Sequence, residues 1–198
     1  MAAGRRLLVS EDPAKLSLRR IAAEAGYSPG TIYRYFPDQR ALYRAVREQD
    51  MEQAIARFKR IASRTRDPAE RVRKLFAGTV RYWLAHADKF DVLFAQPEVQ
   101  VHIRTEGEPF GQSSVAQRAL GIYYSAVESY LDSLPQPPLP SRLAADALLG
   151  AVYGIIAFPR MTPTMAWSNV AKMADMIVAG MLAHWSNEAH ARQSRAQR

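Results

Sequence analysis

Hydrophobic positions recur at helical spacing along most of the chain, and no stretch shows the sustained alternation that predicts a β-strand. The pattern therefore predicts an all-α fold. The first clear helix follows Ser17, a good N-cap residue, because a serine hydroxyl accepts a hydrogen bond from a backbone N–H of the first turn. One face of this helix is apolar at i, i+3, i+4 and i+7 and carries Leu18, Ile21, Ala22 and Ala25.

A tight turn and a second short helix follow. Gly26 suits the left-handed position that ends a helix. Ser28 is a second N-cap, and Pro29 occupies the favoured first helical position. This helix extends to about Phe36. The pattern over residues 17–36 thus predicts two short helices joined at about a right angle, a helix-turn-helix.

Further helices are predicted along the rest of the chain, separated by polar and proline-rich segments. Their predicted ranges are residues 39–63 after Asp38, a helix from Pro68 after Asp67, 88–94, 115–130, 141–158 ended by Pro159, and 165–187 capped by Thr164. Residues 96–111 are rich in Pro, Gly and Glu, which predicts a loop. Residues 191–198 are expected to form a disordered basic tail.

Charge is unevenly distributed. Residues 1–64 hold 13 Lys/Arg and 7 Asp/Glu, whereas residues 65–198 hold 14 and 12. A basic first third is the electrostatic footprint expected of a protein that binds a polyanion. The chain has no cysteine, which fits the cytoplasm, and its N-terminus lacks the apolar core of a secretory signal. The apolar run at 143–158 falls short of the ~20 residues that cross a bilayer, so we expect a buried helix and no membrane partner.

The second helix of the pair has the properties of a DNA-reading helix. Its N-terminal end is small and polar at Ser28, Gly30 and Thr31, so it can approach base edges and phosphates closely. Ile32 and Phe36 are expected to face inward. Tyr33, Arg34 and Tyr35 are then expected to face outward.

The run LSLRRIAAEAGYSPGTIYRYFPDQRALYRAV at residues 16–46 closely resembles the helix-turn-helix of TetR-type bacterial regulators. The resemblance covers about residues 5–63. It implies an N-terminal three-helix DNA-binding domain at 1–45, a helical regulatory and dimerisation domain at 46–190, a homodimer, a palindromic operator and a ligand pocket. The residues expected at DNA are Ser17, Arg19, Ser28, Gly30, Thr31, Tyr33, Arg34, Tyr35, Gln39 and Arg40.

Two departures from the family weaken the expected grip on the DNA backbone. Gln39 stands where the family usually has a phosphate-binding lysine, so one charged contact should be lost. Arg40 could replace it, although it points about 100° further round the helix. The first predicted helix, residues 2–9, is also shorter than in relatives, so we expect either a misassigned start codon or a helix that packs less firmly and makes fewer phosphate contacts.

The regulatory half is aromatic, and aromatic residues at helical spacing are more often plain core than a binding site. The family resemblance directs some of them to a pocket for a small apolar or amphipathic effector. The candidates are Trp83, His86, Phe90, Tyr123, Tyr124 and Tyr153. The four histidines show no metal-ligand spacing and there is no phosphate loop, so we expect neither metal nor cofactor.

The last two predicted helices are apolar on more than one face, which predicts a four-helix dimer interface with two helices from each subunit. A thick monomeric core is the simpler alternative. The residues expected in the interface are Leu148, Ala151, Val152, Ile155, Met173, Ile177, Gly180, Met181 and His184.

These features predict a ligand-responsive repressor. The first alternative is a helical ligand- or partner-binding protein with weakened DNA binding, supported by Gln39 and the short first helix. A helical enzyme is the second alternative. It is disfavoured because no nucleophile, acid–base pair or metal set is apparent in the sequence.

Overall fold

The computed structural model describes residues 7, 17–95 and 110–197, and every extended regular element within these residues is helical, as the sequence predicts. The eight α-helices of this part are α1 Leu18–Glu24, α2 Pro29–Tyr35, α3 Gln39–Ser63, α4 Pro68–Ala85, α5 Ala87–Phe90, α6 Ser114–Asp132, α7 Ser141–Met161 and α8 Val170–Ala196. A π-helical turn, Asp91–Ala95, follows α5 directly, and a 3₁₀ turn, Phe110–Gln112, precedes α6.

The chain divides into two compact units. The first comprises residues 1–54 and 86–117, and the second residues 55–85 and 118–198. Residues 86–117 thus group with the N-terminal helices, although they lie far along the chain. These units differ from the predicted functional domains 1–45 and 46–190, whose boundary stays a prediction.

Four helix starts are capped as the sequence predicts. In each, a side-chain oxygen accepts a hydrogen bond from a backbone N–H three residues later, which satisfies one of the free donors of the first turn. The bonds are Arg20 N to Ser17 Oγ (3.3 Å), Thr31 N to Ser28 Oγ (3.3 Å), Ala41 N to Asp38 Oδ1 (2.7 Å) and Glu70 N to Asp67 Oδ1 (2.7 Å).

The first unit has its own small core beneath α1, α2 and the first half of α3. Val92 of the π-helical turn is a member of this core, with 4% of its surface exposed. The remaining buried members are Leu7, Leu18, Ile21, Ala22, Ile32, Leu42, Tyr43 and Val46, and Phe36 packs against them.

The second unit is a helical bundle in which α8 packs against α4 and α7, and α7 against α4. Its centre is aromatic, because α3, α4 and α6 all direct rings inward. Phe58 makes edge-to-face contacts with Trp83 and Tyr123 at ring-centroid distances of 6.2 and 5.9 Å. Such pairs typically contribute about 0.5–1.5 kcal/mol beyond the area that they bury.

The ends of the last two helices differ from the prediction. Helix α7 does not end at Pro159 but includes it and continues to Met161. Proline removes a single N–H donor, and the next turn closes regardless, because the Thr162 N–H and hydroxyl both donate to the Phe158 carbonyl at 3.1 and 2.7 Å.

Helix α8 begins later and ends later than expected. Thr164 does not cap it. Instead Asn169 accepts a hydrogen bond from Lys172 N at 3.0 Å, because the Trp167 indole N–H binds Thr162 and holds the preceding residues in a turn. The tail predicted to be disordered is helical to Ala196 and carries the ion pair Arg192–Glu188 at 2.7 Å.

Two sequence predictions fall mainly on residues outside the described part of the chain. The short first helix at residues 2–9 is described only at Leu7. Of the predicted loop at 96–111, only the start of the 3₁₀ turn is described.

Helix α7 has 21 residues and, by length and composition alone, could cross a membrane. The helix is longer than the predicted apolar run, because it extends beyond residues 143–158 at both ends. Only 28% of its most apolar window is buried, so one face of α7 packs in the bundle and another lies at the surface.

Candidate DNA-reading head and helical core

The turn between α1 and α2 is built around Gly26, which has φ +73°. Its N–H donates to the Ala23 carbonyl at 3.1 Å, and the next N–H, of Tyr27, donates to the Ala22 carbonyl at 2.8 Å. This pair of bonds is a Schellman motif, which closes a helix with a left-handed residue. The turn therefore fixes the angle at which α2 leaves α1.

The N-terminal end of α2 is compact and polar. The hydroxyls of Ser28 and Thr31 lie 2.9 Å apart, and Ser28 also caps the Thr31 N–H. Gly30 between them adds no side chain. This end of the helix can approach a phosphate or a base edge without steric obstruction.

The outward face of α2 is aromatic and basic, as predicted. Tyr33 and Tyr35 are 48% and 71% exposed, whereas Ile32 is buried. Arg34 is also exposed. Helix α2 thus presents three side chains that can donate hydrogen bonds to solvent, while the buried Ile32 on its opposite face packs in the core of the first unit.

Gln39, the first residue of α3, forms a hydrogen bond within the protein. Gln39 Nε2 donates a hydrogen bond to the Tyr43 hydroxyl one turn later. Burial raises the pKa of Tyr43, and the bond from Gln39 offsets part of that rise. Arg40 is half-buried, and Arg44, one turn after it, is exposed. Arg44 was absent from the sequence prediction, although its i, i+4 spacing from Arg40 could have indicated it.

A buried arginine joins α3 to the π-helical turn. Arg47 is 3% exposed, and its Nη2 donates to the Leu93 carbonyl at 2.8 Å. Burial lowers the pKa of this guanidinium to about 10. Further along α3, Gln53 Oε1 accepts a hydrogen bond from Lys89 Nζ at 2.6 Å. The segment that includes α5 is therefore attached to α3 by polar bonds as well as by Val92.

The second unit contains a buried chain of hydrogen bonds through three helices. The Trp83 indole N–H of α4 donates to the Tyr153 hydroxyl of α7 at 3.2 Å. The Tyr153 side chain is hydrogen-bonded to Tyr123 of α6. The Tyr123 hydroxyl lies 2.8 Å from Thr79 Oγ1. The Thr79 hydroxyl donates to the Leu75 carbonyl at 2.9 Å. Because indole only donates and a carbonyl only accepts, every link has one direction.

The two tyrosines of this chain are held neutral. Burial raises the pKa of Tyr123 well above its usual value and also raises the pKa of Tyr153. Trp83 and Tyr123 are almost fully buried, whereas Tyr153 is partly exposed. Tyr153 is thus the member of the chain that solvent or a ligand reaches first.

The structure brings together three of the six predicted pocket residues, Trp83, Tyr123 and Tyr153. His86 and Phe90 belong to the first unit. Tyr124 stays a prediction: its hydroxyl donates to Asp146 at 3.0 Å, and the Arg142 guanidinium lies 4.2 Å from the centre of its ring. Thr79, which the sequence analysis did not include as a candidate, is the further polar member.

The predicted dimer residues divide into two groups. Leu148 and Val152 are fully buried within the chain, so they cannot contact a second subunit, and this part of the prediction is corrected. The other seven are half-buried or exposed: Ala151, Ile155, Met173, Ile177, Gly180, Met181 and His184. Beside them the structure exposes larger apolar side chains that were not predicted, namely Leu143, Phe158, Met161 and Met176.

Among residues 7, 17–95 and 110–197, no group of three or more His, Asp or Glu side chains is placed to hold a metal ion.

The helix-turn-helix formed by α1, α2 and the turn at Gly26, which we name the reading head, matches a known family. Residues 1–46 match the sequence profile of bacterial regulatory proteins, tetR family. The N-terminal segment is a TetR-type DNA-binding domain. The matched residues include the Schellman turn, the reading end of α2 and the start of α3, so the geometry and the match point to the same element. The match covers residues 1–46 of the 198-residue chain.

Solved structures with the same fold cover nearly the whole chain. The transcriptional regulator FadR from Bacillus subtilis, in complex with stearoyl-CoA, has a TM-score of 0.74 at 16% identity over 91% of this chain and 95% of that one. The TetR family regulator PfmR from Thermus thermophilus has a TM-score of 0.67 at 14% identity, covering 91% and 95%.

A third structure, AibR in complex with isovaleryl coenzyme A and operator DNA, has a TM-score of 0.67 at 16% identity, covering 89% and 92%. At these identities the likeness shows a shared fold. No curated protein matches the sequence.

Proposed function

We propose that the protein is a ligand-responsive repressor that binds a palindromic operator as a homodimer in the bacterial cytoplasm. One observation carries the proposal: the compact polar end of α2, with Ser28 and Thr31 bonded at 2.9 Å and Tyr33 and Tyr35 exposed behind them. In this arrangement Ser28, Gly30, Thr31 and Tyr33 approach bases or phosphates. Tyr35, Arg34 and the cap residue Ser17 with Arg19 contact the backbone.

A dimer is supported by the exposed apolar face of α7 and α8. Phe158, Met161 and Met176 are each more than half exposed, and large apolar side chains exposed on a helical bundle are typical of an interface. Two copies related by a twofold axis would bury it and would present two reading helices to the two half-sites of a palindrome.

An effector site is supported by the hydrogen-bond chain of Trp83, Tyr153, Tyr123 and Thr79. It offers neutral hydroxyls and an indole among aromatic rings, which suits an apolar or amphipathic molecule with an uncharged polar group. Two similar structures hold acyl coenzyme A thioesters, so these are the first class to test. We expect stearoyl- or isovaleryl-CoA, but not free coenzyme A, to weaken operator binding about 5- to 150-fold, the usual range of allosteric coupling.

The reading helix is tested by two substitutions with different expected effects. Thr31→Ala should change the preference among DNA sequences, because a contact to a base edge is worth about 1–3 kcal/mol of discrimination. Tyr35→Ala should weaken binding to all sequences alike, about fivefold for one lost hydrogen bond of ~1 kcal/mol. Selection of bound fragments from genomic DNA, followed by fluorescence anisotropy on the selected and scrambled duplexes, measures both.

Tyr27→Ala is the matched control for Tyr35→Ala, because Tyr27 is also more than half exposed but lies in the turn rather than on α2. We expect it to bind as the wild type does. Unchanged preference in Thr31→Ala together with unchanged affinity in Tyr35→Ala would contradict the assignment of α2. Absence of DNA binding by the wild type at low salt would favour a ligand-binding protein that has lost DNA reading.

A further inference from the structure

The net positive charge of the first third of the chain lies mainly after residue 54, outside the reading head. Residues 1–54 hold nine Lys/Arg and seven Asp/Glu, whereas residues 55–66 hold five Lys/Arg and no acidic residue. These five residues, at the end of α3 and in the loop after it, form what we name the α3 basic patch: Arg57, Lys59, Arg60, Arg64 and Arg66.

All five side chains of the α3 basic patch are exposed, and none forms an ion pair with another residue that the structure describes. Several basic residues elsewhere in the described second unit behave differently. Arg73 and Lys74 both pair with Glu70, at 4.0 and 3.4 Å, and Arg142 pairs with Asp146 at 2.9 Å. The patch therefore gathers five basic side chains whose charge no acidic side chain of the described residues compensates.

The patch has a defined geometry. Arg57 and Arg60 are three residues apart on α3, which places them about 60° apart around the helix axis, and Arg64 directly follows the last residue of the helix. The loop that carries Arg66 is held by Arg71, whose Nε and Nη2 donate to the Thr65 and Arg66 carbonyls at 2.9 and 3.1 Å. The charge of Arg71 adds to the same region.

Helix-dipole compensation does not account for the whole patch. A cation is favoured only in the last turn of a helix, which holds Arg60. Arg57 lies further back, and Arg66 lies beyond the helix end. The nearest acidic residue that follows, Asp67, uses a carboxylate oxygen to cap the Glu70 N–H at 2.7 Å.

The shape and chemistry of the patch select its partner. A small phosphorylated ligand needs a concave site, whereas these residues spread over an exposed helix side and a loop. A membrane surface needs exposed apolar side chains beside the charges, and residues 37–83 expose no large hydrophobic side chain. An extended row of arginines suits the phosphates of duplex DNA.

We propose that the α3 basic patch is a second, sequence-independent contact surface for duplex DNA, separate from the reading end of α2. The patch would strengthen binding without changing the preferred sequence, because contacts to phosphates carry no sequence information.

The test compares two double variants of the full-length protein that lose the same charge. Arg57→Gln/Arg60→Gln removes unpaired charges of the patch, and Arg73→Gln/Lys74→Gln removes paired ones. Affinity for a long non-operator duplex is measured by fluorescence anisotropy between about 50 and 200 mM salt. Each lost phosphate contact lowers the slope of log K against log salt by about 0.9.

We expect the patch variant to lower the slope by about 2, with the control variant equal to the wild type and the sequence preference unchanged in both. Equal slopes for the two variants would overturn the proposal. So would loss of sedimentation with phosphatidylserine vesicles in a patch variant whose DNA slope is unchanged, because the partner would then be a membrane. Operator recognition through Thr31 is measured separately, so its failure is distinguishable from failure of the patch.

Discussion

At the scale of single residues, the reading head depends on a few positions whose chemistry is dictated by the backbone. Gly26 is the clearest, because φ +73° costs a residue with a side chain conformational energy even where space is available. A Cβ built on Gly26 meets no atom within 4 Å. The cost of replacing it is therefore conformational and not steric.

We expect Gly26→Ala to lower the free energy of unfolding by about 1–2 kcal/mol, and Gly26→Asn by less, because asparagine tolerates the left-handed region better. Gly121→Ala is the matched control, since Gly121 lies inside α6 with open space around its Cβ position. That substitution should stabilise the protein by about 0.5–1 kcal/mol. Urea denaturation measures all three. Equal effects of alanine at both positions would show that the turn does not require glycine.

At the scale of elements, the sequence predicted what local chemistry determines. The caps at Ser17, Ser28, Asp38 and Asp67 and the inward and outward faces of α2 are confirmed, because each depends on residues within one or two turns. The ends of α7 and α8 were missed. Pro159 is a local signal for a helix end and Thr164 for a helix start. The hydrogen bonds from the Trp167 indole to Thr162, five residues earlier, hold a turn at Thr164 instead.

Long-range contacts were equally invisible to pattern reading. Nothing in the spacing of residues 88–95 indicates that Val92 completes the core beneath α2, or that Leu93 accepts a hydrogen bond from Arg47. Likewise, helical spacing places Leu148 and Val152 on an apolar stripe without showing which helix covers it. The spacing of the predicted pocket residues has the same limitation. The Tyr123 hydroxyl forms a buried hydrogen bond with Thr79, whereas the hydroxyl of its neighbour Tyr124 forms an exposed one with Asp146.

The bond between Arg47 and Leu93 leads to a prediction for α3. Arg47→Leu should lower the free energy of unfolding by about 1.5–3 kcal/mol, the range for a hydrogen bond to a charged group. Arg44→Leu, one turn earlier and exposed, should change it by no more than about 0.5 kcal/mol. Chemical denaturation gives both values, and hydrogen exchange of residues 91–95 should rise only in the first variant. A harmless Arg47→Leu would mean that the bond does not hold the π-helical turn.

At the scale of the whole molecule, the exposed face of α7 and α8 predicts association. Met176→Glu places a charge among the exposed apolar residues of this face and should lower the mass measured by light scattering from twice 22.2 kDa to 22.2 kDa. Leu84→Glu is the control, because Leu84 is an exposed apolar residue on α4 rather than on α7 or α8. A wild type that is monomeric at all concentrations, or a variant that remains dimeric, would contradict the proposed interface.

The distribution of positive charge differs between the sequence prediction and the structure. The excess of six Lys/Arg in residues 1–64 was expected to mark a DNA-binding surface, and four of these six charges lie in residues 55–64, at the end of α3 and directly after it. The reading head itself relies on small polar groups and tyrosines, so its affinity should depend less on salt than its total charge suggests.

The central claim is that the two α2 helices of a homodimer bind the two half-sites of a palindromic operator. Hydroxyl-radical footprinting of the full-length protein on the DNA that it selects tests this claim most directly. The account predicts two protected half-sites related by a dyad, with centres one helical turn of about 34–36 Å apart or a multiple of it. In Thr31→Ala the protected positions should be lost or should move to other sequences. A single unpaired footprint, or wild-type protection in Thr31→Ala, would contradict it.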